Sequence, residues 1–337
     1  MSSKRETPLE IFLDGHDDAA WREALTTLLP SVHEVDRNAT QIWFHFFPLA
    51  LHRAFEAAED PARLAQELLM QGRWSLKDQA DSSHVFLYGH RFWPDVKRAV
   101  ARLAASPDAT AGRTLAEVVL ALAREVAAAR KVEESLAVGI AAVGLMTLRQ
   151  TGLEEFKRTP GDVLIDRKHL KRTPEEVLIE RAKDDSQGLF GFLRTADRQW
   201  TVVWDENADE RRFRAVDKQE VASAAANDKR PWHESDPRCT VDEGPIPVQC
   251  RSASCGTCWV GVLGGAEKLS ETDWRERKMM PLFGYVETDE PRPLIRLSCQ
   301  ARAGGAVSVV IPPWNGYFGK YLKRVREGAA EEAVAGS

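Results

Sequence analysis

The sequence predicts a multidomain protein: an N-terminal all-α helical bundle over residues 1–185, then a C-terminal α+β domain over residues 188–320. Three observations support this. Ala- and Leu-rich stretches with helix start signals fill the first 185 residues, and no strand pattern of comparable strength interrupts them. Short β-branched and aromatic runs bounded by turn residues begin only at Gln199. Four cysteines, Cys250, Cys255, Cys258 and Cys299, all fall in the second part. At 337 residues and 43% hydrophobic content, the chain is long enough for two domains, each with its own core. The polar run Asp184–Gly188 reads as their exposed link, and residues 321–337 as a charged tail.

The helices follow in order. Ala19–Leu29 is the first candidate, and Asn38 is read as the cap of a second, through IWFHFFPLALHRAF, which Pro48 bends. Asp60 followed by Pro61 is a start signal for Ala62–Met70. Pro94–Ala105, Thr114–Lys131 and Glu133–Gln150 complete a bundle of about six helices. The longest apolar run, Leu136–Leu148, is too short to cross a bilayer and contains Gly139 and Gly144, so it reads as a buried helix.

An internal repeat closes this half. KRTPGDVLIDR (157–167) and KRTPEEVLIER (171–181) lie fourteen residues apart. In each copy Thr-Pro is a helix start, with Thr159 and Thr173 as caps, and Glu176 completes a capping box with Thr173. Two copies are too few for a solenoid, so two short capped helices between the domains are expected. The alternative is a basic docking strip of Lys157, Arg158, Arg167, Lys168, Lys171 and Arg172, although acidic residues interleave with it.

In the second domain, Gln199–Asp205 and Glu210–Val216 read as a hairpin around the polar turn Glu206–Asp209. The Ala-rich run Lys218–Asn227 is a helix. Thr257–Leu263 is a strand stopped by Gly264-Gly265, and Ala306–Ile311 is the last strand, stopped by Pro312-Pro313.

Between these strands lies the most informative feature, CRSASCGTC from Cys250 to Cys258, with Cys299 downstream in RLSCQ. Thiolates are soft ligands, and Cys-x4-Cys-x2-Cys with a distant fourth cysteine is the plant-type [2Fe–2S] spacing. Ser252, Ala253, Ser254, Gly256 and Thr257 are small, which lets the backbone approach an inorganic core and donate N–H bonds to its sulfurs. Zinc sites pair cysteines as two close couples, and forty residues separate Cys258 from Cys299. Structural disulfides fit poorly with five cysteines and no secretory signal.

On these residues, the stretch from about Gln199 to Gly316 resembles a plant-type [2Fe–2S] ferredoxin domain of the bacterial kind. The matching pieces are CRSASCGTCWVGVLGG, EKLSETD and RLSCQARAGGAVSVVIP. The resemblance implies a β-grasp fold and one [2Fe–2S] cluster. It implies that Cys250 and Cys255 hold one iron, that Cys258 and Cys299 hold the other, and that the iron nearer the surface takes up the electron. The separation of Cys258 and Cys299 exceeds what is usual in the family, with the excess assigned to Asp273–Pro293. Trp259 and Trp314 are either shields for the cluster or plain core aromatics.

The remaining residues narrow the function. His45 and His52 share a helix face, and His84 and His90 flank VFLYG; such pairs can ligate haem or a metal, but histidines in or beside a helical core are commoner. Cys239 is a leftover thiol outside the cluster set. No Gly-x-Gly-x-x-Gly, P-loop or Gly-x-Ser-x-Gly sequence is present, and a net charge of −5 gives no reason to expect nucleic acid. The start MSSKRETPLE has no apolar core, so a cytoplasmic protein without a membrane span is expected. A cluster ligated by four cysteines has no open position for substrate. The expected function is one-electron transfer to or from a partner redox protein rather than enzymatic turnover. The alternatives are an electron-input subunit of an oxidoreductase with an unrecognised cofactor in the helical domain, and an iron–sulfur redox sensor.

Overall fold

The computed structural model describes residues 6–46, 58–60, 63–64, 80–183, 198–234, 244–280 and 289–312. Residues 6–46 and 80–177 form one compact unit; the described residues from 178 onward, with 58–60 and 63–64, form a second.

The first unit is helical: α1 (Pro8–Asp14), α2 (Asp18–Leu28), α3 (Glu34–Phe46), α4 (Trp93–Ala105), α5 (Leu115–Arg130), α6 (Ser135–Thr151), α7 (Leu153–Arg158) and α8 (Arg167–Leu170), leading into α9 (Pro174–Ala182). Its axis is α6, which is apolar on every side because α1, α3, α4, α5 and α7 surround it. Gly139 makes this close packing possible, since a Cβ there would lie 2.3 Å from Thr40 Oγ1 on α3. Thr114 and Glu117 form a reciprocal capping box at α5, and Thr7 and Glu10 form another at α1, a helix the sequence reading did not anticipate. At Asp60 the side chain accepts from Arg63 N at 3.0 Å; the rest of the helix expected to follow lies outside the described residues.

Two expectations are corrected here. Asn38 does not start the helix: it lies inside α3, which starts at Glu34 because Val35, Ala39, Ile42, Trp43 and Phe46 form one continuous buried face. Pro48 lies outside the described residues. The first repeat copy is not a helix from Thr159 onward. Gly161 sits at φ +78, where its N–H reaches Asp81 Oδ2 at 2.7 Å, while the Thr159 hydroxyl donates to Asp81 Oδ1 at 3.0 Å. The second copy has Glu175 in place of Gly161, keeps its capping box between Thr173 and Glu176, and forms α9.

The second unit is a five-stranded mixed sheet in the order β2-β1-β5-β3-β4, with β1 (Gln199–Val203), β2 (Arg212–Val216), β3 (Trp259–Gly264), β4 (Ile295–Leu297) and β5 (Val307–Val310). β1 and β5 run parallel, and all other pairs are antiparallel. This is the β-grasp arrangement. Helix α10 (Val221–Ala225) buries four of its five residues. β2 is an edge, and Arg230 covers part of it by donating to the Glu210 carbonyl at 2.9 Å and to the Arg212 carbonyl, while the Asp228 carboxylate holds its guanidinium. The end of α9 belongs to this unit. Arg181 binds Glu206 through Nε and Nη2 at 2.8 and 2.9 Å, and Lys268 Nζ reaches the Ala182 carbonyl at 3.0 Å. Glu206 in turn accepts from Ser308 Oγ on β5 at 2.6 Å. The division therefore falls between Val177 and Leu178, within α9; the expected link Asp184–Gly188 lies outside the described residues. Helix α11 (Trp274–Met279) and strand β4, neither anticipated, occupy part of the long stretch between Cys258 and Cys299.

Candidate metal centre

The sheet brings the four cysteines together. Cys258 immediately precedes β3 and Cys299 follows β4, and these strands pair antiparallel with Trp259 opposite Leu297. Ser298 secures the junction: its N–H and its hydroxyl both donate to the Cys258 carbonyl, at 3.0 and 2.8 Å. Cys250 and Cys255 lie on the loop that leads into β3. There Arg251, Ala253 and Gly256 have φ values of 55°, 64° and 71°. Left-handed residues interspersed along a loop turn successive amides toward one side, which makes a concavity suited to anions. Non-glycine residues in this conformation cost about 1–2 kcal/mol each, so surrounding interactions hold Arg251 and Ala253 there.

Amides converge on the sulfurs. Ser252 N and Cys255 N donate to Cys250 Sγ at 3.4 and 3.2 Å. The Ala253 amide donates to the Cys299 sulfur, and the Cys299 amide to that of Cys258. Two side chains add to this set. The Thr257 hydroxyl accepts from Gln249 N at 3.2 Å, so its hydrogen is free for Cys255 Sγ at 3.1 Å. Gln300 Nε2 lies 3.3 Å from Cys299 Sγ. Cys255, Cys258 and Cys299 are buried, and Cys250 is half-buried at the edge.

The thiols interact as two pairs, Cys250 with Cys255 and Cys258 with Cys299, and electrostatic coupling links Cys255 to Cys258 and Cys250 to Cys299. Burial pushes the Cys250 thiol up, but the Ser254 hydroxyl, the Ser252 amide and the Cys255 side chain together bring it down to about 6. The hydrogen bond from Cys258 brings Cys299 to about 7 against its burial, and the same bond, with burial, raises Cys258. One thiol of each pair is therefore the more inclined to ionise. Two soft thiolates for each of two ions, inside a cup of N–H donors, fit a two-iron cluster. Among the described residues, no group of three or more His, Cys, Asp or Glu side chains closes on a single metal ion; the four thiols meet as two pairs instead.

A buried ion pair supports the fourth cysteine. Glu276 of α11 and Arg296 of β4 are fully buried, and Arg296 Nε and Nη2 reach the two carboxylate oxygens at 2.8 and 2.9 Å. Glu276 Oε1 also accepts from Leu297 N at 2.8 Å, and Arg296 Nη1 donates to the Ser270 carbonyl at 2.8 Å. This fixes the strand two residues before Cys299. Sequence reading passed over the pair, although Asp273 with Glu276 three residues on is a helix start signal, realised as the Glu276 N to Asp273 Oδ1 bond of 2.8 Å.

The other candidate residues are disposed as follows. Trp259 is fully buried on β3; Trp314, Cys239 and His52 lie outside the described residues. His45 Nδ1 binds the Gln41 carbonyl at 2.6 Å, and burial lowers its pKa. His84 and His90 meet through their Nδ1 atoms at 2.9 Å. His90 Nε2 accepts from Leu164 N at 3.0 Å, so its proton is on Nδ1 and points at His84 Nδ1; His84 Nε2–H then donates to the Ala80 carbonyl at 3.2 Å. Every ring nitrogen of this pair is taken by a protein partner, which leaves none for haem or a metal.

Residues 241–304 match the family model of the 2Fe-2S iron-sulfur cluster binding domain, and the match does not extend to the helical unit. No curated protein and no solved structure matches the chain. Among the described residues, no helix is long and apolar enough to cross a membrane. The chain thus carries a C-terminal [2Fe–2S] ferredoxin domain with an electron-transfer role, joined to an N-terminal helical region of unassigned family.

Proposed function

We propose that the protein is a one-electron carrier in which Cys250, Cys255, Cys258 and Cys299 ligate a single [2Fe–2S] cluster, and that a separate redox protein is its partner. The observation that supports this best is the convergence of the four thiols as two pairs under a set of N–H donors. When bound, such a cluster exchanges one electron, with plant-type centres near about −400 mV. The chain's own residues hold it, exclude water on the Cys258 side and leave an edge at Cys250 for electron exchange. All four ligand positions are filled by the protein, so substrate chemistry belongs to the partner. A reducing compartment such as the cytoplasm suits four thiols that must stay free for assembly.

Iron and acid-labile sulfide analysis of the full chain tests the proposal. Two irons and two sulfides per chain, with a rhombic reduced EPR signal, are expected, and Cys255→Ser should abolish or gravely weaken both. Stoichiometric zinc without sulfide in anaerobically prepared protein sinks the proposal.

A further inference from the structure

Resting on the reading that the four cysteines hold the cluster, we infer that Gln300 is a positioning residue that sets its reduction potential, by directing its carboxamide N–H at the Cys299 sulfur. Gln300 Nε2 lies 3.3 Å from Cys299 Sγ, 2.9 Å from the Cys299 carbonyl and 3.5 Å from the Arg251 carbonyl. All three neighbours are acceptors, which fixes the nitrogen rather than the oxygen toward them. The last contact crosses from the β4 exit to the loop that carries Cys250 and Cys255, so one side chain spans both arms of the centre. Its own main chain is anchored independently, because Gln300 N donates to the Leu297 carbonyl at 2.8 Å. The Ala253 amide gives Cys299 a second, backbone donor, which any substitution at position 300 leaves in place.

Electron uptake adds negative charge that spreads onto the cysteine sulfurs. A donor beside one of them stabilises the reduced state more than the oxidised state and raises the potential. Gln300→Leu removes the donor and should lower the midpoint, shifting a one-electron exchange with a fixed mediator by up to about tenfold, which is about 59 mV. Gln300→Glu, of nearly the same shape, replaces the donor with a negatively charged acceptor and should lower the midpoint further.

The experiment is voltammetry on the full chain and both variants, with iron and sulfide counted for each. Lowered midpoints at unchanged cluster content support the inference. A Q300L midpoint equal to that of the unmodified chain overturns it, and if Q300L fails to load, an unchanged midpoint in Q300E does the same. Loss of the cluster from both variants also overturns it, because Gln300 would then act in retention rather than in potential. An unmodified chain without iron and sulfide overturns the ligand reading itself, and this inference with it.

Discussion

Acidification should destabilise the helical unit by a predictable amount through His84 and His90. Both rings are fully buried, and their hydrogen bonds form a one-way chain from the Leu164 amide through His90 and His84 to the Ala80 carbonyl. The chain has no site for another proton. Protonating His90 Nε2 sets it against the Leu164 N–H, and protonating His84 Nδ1 sets it against the His90 N–H. Burial therefore lowers His90 from the ordinary 6.5 to about 4, with Asp81 opposing and Arg91 acting in the same direction; His84 is also held well below 6.5 by burial, His90 and Lys97. The unfolded chain takes up the proton near 6.5 while the folded chain resists it until about 4. Stability from His90 is thus fully present above 6.5 and is lost as pH falls through that window. At about 1.4 kcal/mol for each pKa unit, the loss is ~3 kcal/mol by pH 4. Trp93 reports the event, since its ring centre lies 3.9 Å from that of His84, with the planes tilted by 52°. Denaturant titrations followed by tryptophan fluorescence, at steps between pH 7 and pH 4, should show this slope, and His90→Gln should lose the His90 share of it. Identical slopes in the two proteins would refute the reasoning.

Two further outcomes are expected. Glu276→Ala leaves Arg296 charged and unpaired in the core, at a cost of about 3–5 kcal/mol, and should speed cluster loss because the strand before Cys299 loosens; equal stability and equal cluster lifetime in the variant would show the pair to be dispensable. A fragment that starts at Leu178 should hold its cluster more firmly than one that starts at Gly188, because only the former keeps the Arg181–Glu206 pair; matching thermal transitions in the two fragments would show that the end of α9 contributes nothing.

What could be read from the sequence was local. Thr173 with Glu176 announced its helix because the start lies within one turn. Three of the four candidate cysteines sit within nine residues and carry their own signal, whereas Cys299 joins them only through the pairing of β3 with β4. β4 has three residues and α11 has six, too few for any periodicity to show. Glu276 and Arg296 lie twenty residues apart, so their bond is a product of the fold alone. The repeat is the sharpest case: near-identical text gives a helix at Pro174 and an extended stretch at Pro160, and the difference lies in Gly161 and in Asp81, about eighty residues away. The Asn38 cap failed for the opposite reason, because a good capping residue was outweighed by an apolar face that begins at Val35.

Arg230 on the rim of β2 bears on how the protein behaves in a crowded solution. An open sheet edge offers carbonyls and amides to any other strand, and self-association by that route would bury part of the domain's surface. Here the guanidinium occupies the Glu210 and Arg212 carbonyls, and Arg214 stands exposed along the same strand. A strand approaching this edge meets two carbonyls that are already occupied. Among the described residues the sheet thus ends at β2, where a charged side chain blunts the open edge.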